Sequence, residues 1–314
     1  MNENASTFLK KTKKFLLPLF LYNIAYGLIV QSLQPFGFTI GGDFTLYNLF
    51  IAPLISGHQF GYNLGGWFLI PLFMIEISNL LVRKVTRIFK HKIPEWIFFI
   101  GSLLLGVFGN LLAIKGCTSG WWLVLVRMLH FVPFFGLGIF FKTSAEKYIN
   151  KIPSLWYFIA IFILKLAVVF ICNRMPTYTA SWCNDFTDGP LMPIVVGILG
   201  IAFWLRIATI LEPAIGRNKY VNLLANNTYS IMINQLAAFM LVKGAFAVAN
   251  KLTGVFSSFD WVAFKTNIWY YFVPRQFEYT LLLYVAAGLV LPIFWQCILN
   301  FIKHRYAKSR KKDN

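Results

Sequence analysis

Charge is scarce in this sequence, and negative charge most of all: 13% of its residues are charged, with 11 Asp and Glu against 29 Lys and Arg. A soluble chain of 314 residues needs roughly a quarter charged residues to keep its surface in water, so a soluble multidomain protein is excluded. Histidine and cysteine are sparse as well, at four each. The cysteines are too few and too scattered for a disulfide framework. Cys172 and Cys183 are the pair close enough to one outer loop to meet, but an unpaired role for each is the expectation. CxxC, HExxH and Walker-type patterns are missing, so neither a metal nor a nucleotide site has support. Short repeats and low-complexity tracts are missing too, and there is no matching pair of broken apolar segments of the kind inverted-repeat transporters carry.

Apolar residues fill the space left by charge, at 58% of the chain, with 33 Phe and 10 Trp. Stretches of roughly 20 apolar residues, enough to cross a hydrocarbon core of about 30 Å, recur along the whole sequence. Eight are found, near 15–34, 65–82, 96–115, 121–141, 154–172, 191–211, 228–249 and 279–302. Lipid offers no partner to a backbone N–H or C=O, so these segments are expected to be helices. The fold class that follows is an all-α integral membrane protein, a polytopic bundle of about eight transmembrane helices forming one domain over 1–314. The first stretch follows four lysines and has no small-residue cleavage pattern, so it is expected to remain as the first span.

Basic residues test the assignment independently. If eight crossings alternate the loops between two sides, 21 of the 29 Lys and Arg fall on one side: the 1–14 tail, the loops after the second, fourth and sixth spans, and the 303–314 tail. That side is expected to be cytoplasmic, with both termini inside and the protein in the plasma membrane. The net charge of +18 is then a topology signal and a contact with the anionic bilayer surface, not a nucleic-acid footprint.

Ionisable groups inside a span need a partner or a wet cavity. Glu76, His130 and Lys165 fall near the middles of the second, fourth and fifth spans, and Arg127 lies about two turns from the outer end of the fourth. Arg127 and His130 are three residues apart and share a helix face. They either line a polar cavity where chemistry occurs or, for Arg127 and Glu76, form an ion pair that fixes packing; Arg206 is expected to snorkel to the inner face. The outer segment 35–64 is nearly free of charge, and its 44–56 part is expected to lie in the interface as a re-entrant or amphipathic helix. That would set His58, Gln59, Tyr62 and Asn63 at the mouth of the bundle, just before Trp67, with a neutral His58 able to act as a base. The aromatic outer segment 250–278, with Trp261 and Trp269, suits either an interfacial belt or a platform for sugar rings, where Asp260 and Arg275 bond hydroxyls.

Four segments carry a more specific signal. FLKKTKKFLLPLFLYN, 8–23, is a basic run leading into an apolar span with an early Pro18; GGWFLIPLFMIE, 65–76, carries Trp67, Phe68, Leu69, Leu72 and Phe73. FVPFFGLGIFFK, 131–142, and LLANNTYSIMINQ, 223–235, follow in order. Together they resemble the membrane-bound acyltransferase 3 family, whose members O-acetylate cell-surface sugars. The likeness lacks the family's first two transmembrane helices with their histidine, displaces a signature proline to Pro71, and has Gln235 where that family often has histidine. It implies acetyl-CoA as donor, no metal, and a surface polysaccharide or lipid-linked glycan as acceptor. On that basis His58 or His130 is the expected base, Arg127 the group holding the oxyanion, and Glu76 the partner of Arg127 or of a histidine. Substrate contacts are expected from Gln59, Tyr62, Asn63, Trp67, Lys165, Gln235, Trp261 and Trp269. A flippase or transporter for a lipid-linked saccharide, with the same charges lining its path, and an inactive truncated homologue acting as scaffold are the alternatives.

Overall fold

The computed structural model describes residues 2–88 and 93–310. Lys90, Lys92 and the tail beyond Arg310, counted above on the cytoplasmic side, lie outside the described residues. The described chain is 78% helical with no strand, and eight of its helices are long and apolar enough to cross a membrane. The expected all-α class is therefore what forms, and the physical cause is the hydrocarbon itself, in which only internally bonded backbone is tolerated. Large apolar side chains such as Phe170, Leu155 and Trp204 point outward, the arrangement that suits a lipid solvent.

The helices in chain order are α1 (Asn2–Leu33), α2 (Ala52–Ile55), α3 (Leu69–Ile88), α4 (Glu95–Ile114), α5 (Gly120–Phe140), α6 (Glu146–Ile149), α7 (Ser154–Cys172), α8 (Met192–Ile215), α9 (Lys219–Asn226), α10 (Thr228–Thr253), α11 (Trp261–Thr266) and α12 (Thr280–Arg310). They divide into two compact units, the first comprising the chain up to Pro18, Leu54–Ser56 and Trp67–Ala214, and the second Leu19–Pro53, Gly57–Gly66 and the chain from Ile215.

In the first unit α4 and α5 pack along a stripe of small residues. Ser102, Gly106, Gly109, Asn110 and Ala113 are all buried on α4, and a Cβ at Gly106 would overlap the Pro133 ring of α5. Small residues at this spacing let two membrane helices approach closely, where dispersion rather than hydrophobic exclusion holds them together. The connection from α7 to α8 folds back onto this pair: Cys183 and Phe186 are buried against Ala113 and Val126. Left-handed backbone at Asn173, Cys183 and Asp185 turns it, and Arg174, Tyr178 and Asp188 tie it together, with Tyr178 Oη 2.9 Å from Asp188 Oδ2. Arg206 does not snorkel as expected: it is buried, stacks on Tyr157 and donates at 2.7 Å to the Ile149 carbonyl, which also accepts from the Ile152 N–H at 3.1 Å.

In the second unit the 44–53 part of the segment is helical in short pieces, a π turn over Tyr47–Ile51 running into the start of α2. Asn23 on α1 holds it by donating Nδ2 to the carbonyls of Asn48 and Leu49 at 2.9 and 2.7 Å. The 3-10 segment Gly61–Phe68 follows, and Gly65 is required there because a Cβ would collide with the Met232 carbonyl. α10 and α12 are joined by Ser230 Oγ donating to the Pro292 carbonyl at 2.9 Å. Phe259, Phe264 and Phe272 form a small aromatic core with Ala247 under the 254–279 segment.

Candidate functional site

The polar cluster of the first unit is built on the packed faces of α4 and α5. Arg127, His130 and Asn110 are 1%, 3% and 0% exposed. Asn110 Nδ2 donates to the Pro190 carbonyl at 2.6 Å, which fixes the orientation of its amide. Its Oδ1 therefore faces His130 Nδ1 at 2.8 Å and can only accept. In the neutral ring Nδ1 must then carry the proton, and Nε2 is left with its lone pair. Nε2 has no hydrogen bond among the described residues, and the ring is bounded by Phe131, Phe134 and Phe186, the last stacked at 5.2 Å. The result is an oriented imidazole base in a largely apolar surround.

Arg127, one turn earlier, is engaged differently from the sequence expectation. Its guanidinium donates to three carbonyls: Nε and Nη2 to Ser181, and Nη1 to Ile55 and Ser56 at 2.9 and 3.0 Å. The rings of Trp67 and Trp182 lie 5.1 and 5.9 Å from its Cζ, two cation–π contacts. Trp67, expected as a substrate contact, is thus brought together with Arg127, a pairing the sequence did not indicate. Glu76 is not: it pairs with Lys11. The reason is that α1 is helical from Asn2, so Lys11 belongs to a helix that meets α3 rather than to a loose tail. Asn110 supplies the histidine-orienting role that Glu76 was expected to fill. Lys165 also departs from expectation, being exposed on α7 with its Nζ 4.7 Å from the Phe203 ring rather than inside a polar cavity.

Next to this cluster, burial pushes the Cys183 thiol up to about 12 against the opposing pull of the Arg127 charge, so it stays protonated and is no nucleophile at neutral pH. In the same connection the Asp188 carboxyl is held below the usual carboxylate range: desolvation raises it, and bonds from Tyr178 and Arg174 outweigh that. All four cysteines are free.

The remaining candidates belong to the second unit. Gln59 donates to Asn23 Oδ1, which ties α1 to the 35–64 segment, while its Oε1 is buried without a partner among the described residues; His58 is half-buried just before it. Tyr62 and Asn63 are buried, and Tyr62 lines a cavity of about 690 Å³ with Tyr26 and Asn234. Tyr26 Oη donates to Asn234 Oδ1 at 2.6 Å, and Gln235 is half-buried beside Asn234 on α10. Trp261 packs edge-on against Phe259 at 5.1 Å, while Trp269 is exposed. Asp260, exposed, caps α11 with Oδ1, which accepts from the Ala263 N–H.

Sequence reasoning ranked side chains by formal charge and so passed over Asn110, Asn234 and Asn23. The available signal was an amide inside an apolar span, which is costly in lipid unless bonded. Lys243, inside the apolar stretch 228–249, was passed over as well. It is 0% exposed, donating to the Ile268 carbonyl at 2.9 Å with the Tyr271 ring 5.5 Å away.

Eight spanning helices with amides, an imidazole and three cations, Arg127, Arg206 and Lys243, buried among them define a polytopic α-helical membrane protein. Comparison of the chain with protein families, with curated proteins and with solved structures finds no match.

Proposed function

We propose that this protein is a membrane O-acyltransferase that moves an acetyl group from acetyl-CoA to a hydroxyl of a surface polysaccharide or lipid-linked sugar. The observation that carries the reading is His130, held by Asn110 in the tautomer that leaves Nε2 basic. A base so placed takes the proton of the acceptor hydroxyl as its oxygen attacks the thioester carbonyl; the C–S bond then breaks, and the CoA thiolate leaves and takes up a proton. Arg127 sits one turn away with one of its five N–H groups uncommitted, and its positive field favours the oxyanion that forms in between. The resemblance of four ordered segments to the acyltransferase 3 family supports the same chemistry, with the basic face cytoplasmic and meeting the anionic CoA.

The test is the O-acetyl content of the host's surface glycan in a deletion strain, complemented with the parent, His130→Gln and His58→Gln. Loss on deletion, restoration by the parent and by His58→Gln, and failure of His130→Gln to restore are expected. Unchanged acetylation on deletion refutes the enzyme reading. If instead surface glycan itself disappears on deletion, the flippase alternative takes its place; the buried cations Arg127 and Lys243, neither with a carboxylate partner among the described residues, are what favour it.

A further inference from the structure

The cavity of the second unit is unlike a packing defect. Its volume of about 690 Å³ is that of a ligand pocket, for which about 300–1,000 Å³ is usual. Its wall is apolar, and its rim includes Leu241, Phe294 and Trp295, which are exposed residues of the spans α10 and α12. What enters past such a rim comes from hydrocarbon, since the solvent facing a span is lipid.

One polar group on the wall separates a lipid from a plain hydrocarbon filler. Tyr62 is 2% exposed, lines the cavity, and its hydroxyl has no hydrogen-bond partner among the described residues. A buried hydroxyl in that condition is costly, by about 1–3 kcal/mol, and such groups are nearly always satisfied. The neighbouring hydroxyl and amide on the wall are engaged: Tyr26 Oη donates to Asn234 Oδ1, and Asn234 Nδ2 donates to the Ser230 carbonyl at 2.8 Å; the Trp295 indole N–H, at the exposed rim, is a donor only. The Tyr62 hydroxyl has a proton to donate, and an acceptor set on an apolar body satisfies it. We infer that this cavity binds one acyl chain of a membrane glycerolipid, with the lipid's ester carbonyl accepting from the Tyr62 hydroxyl. The inference is independent of the acyl-transfer reading and holds whether or not His130 is catalytic.

The experiment uses the full chain in nanodiscs containing a trace of phosphatidylcholine that carries a diazirine near the ester end of its acyl chain. After irradiation, the labelled peptides are mapped by mass spectrometry. Labelling is expected to concentrate at Ala237, Leu241, Leu291 and Trp295, above that of equally exposed lipid-facing positions on α7 such as Phe162 and Phe170. Tyr62→Phe keeps the volume and removes only the hydroxyl, so cavity labelling should fall about three- to tenfold, the worth of one hydrogen bond. A diazirinyl alkane, which has no acceptor, should label the parent and Tyr62→Phe equally. Ala237→Phe, which fills the space, should abolish labelling by both probes. Equal labelling of cavity and α7, or undiminished cavity labelling in Ala237→Phe, overturns the site. Undiminished lipid labelling in Tyr62→Phe overturns the ester contact.

Discussion

Replacing Asn110 by alanine separates an oriented base from an ordinary core histidine. The side chain is wholly buried and bonds two groups at once, the His130 Nδ1–H at 2.8 Å and the Pro190 carbonyl at 2.6 Å. Orphaning a buried polar group costs about 1–3 kcal/mol. His130 is 3% exposed and takes the full penalty, whereas Pro190 is half-buried and takes the lower end, so a loss of roughly 2–4 kcal/mol is expected before relaxation. The catalytic effect is distinct from this. Without Asn110 nothing fixes the proton on Nδ1, and acetyl transfer in membranes should slow by about 10²–10⁴-fold, the range a positioned base supplies. Asn110→Asp restores an acceptor toward His130 but loses the donor to Pro190, so it should be destabilised like the alanine variant yet keep most of the rate. The assay pairs the unfolding midpoint of purified protein, followed by tryptophan fluorescence, with transfer of labelled acetyl from acetyl-CoA. A lowered kcat with unchanged KM is the signature of a positioning residue. An Asn110→Ala protein with a parental rate would refute the role given to His130, and a parental midpoint would refute the energetics.

Two further outcomes follow from the first unit. Gly106→Val on α4 drives a side chain into the rigid Pro133 ring, and overpacking of this kind costs about 1–3 kcal/mol, so its unfolding midpoint should drop. Gly138→Ala on α5, where a Cβ meets nothing within 4 Å, should leave the midpoint unchanged, and equal effects at both sites would contradict the packing described. The Asp188 carboxyl is depressed in the folded chain, so the order it confers is present at neutral pH and is lost as pH falls below the ordinary carboxylate value of about 4. Hydrogen exchange of amides 173–191, corrected for intrinsic rates, should accelerate between pH 6 and pH 3 in the parent. In Asp188→Asn it should already be fast at pH 6 and show little change; a parent with pH-independent protection would show that the Arg174–Tyr178–Asp188 contact does not hold the segment.

The eight spans were legible because each must satisfy lipid on its own. A helix crossing hydrocarbon needs about 20 apolar residues whatever its neighbours are, so Ser154–Cys172 reads from hydropathy at the same residues where it forms. The burial of Arg127 and His130 was legible for a related reason: two polar groups three apart on one apolar helix can escape lipid only by turning inward together. Which groups they meet was not. Glu76 pairs with Lys11 and not with Arg127, and the reach of α1 back to Asn2, together with its packing on α3, decides that. Asn110 became the partner of His130 because Gly106 and Gly109 let α4 come close enough for the amide to bridge to Pro190. Tyr62 and Asn234 share a cavity wall although they are far apart in sequence. Hydrophobicity acts residue by residue and is written along the chain. A hydrogen bond between helices depends on angstrom-scale approach and rotation, and only the packed tertiary structure sets those.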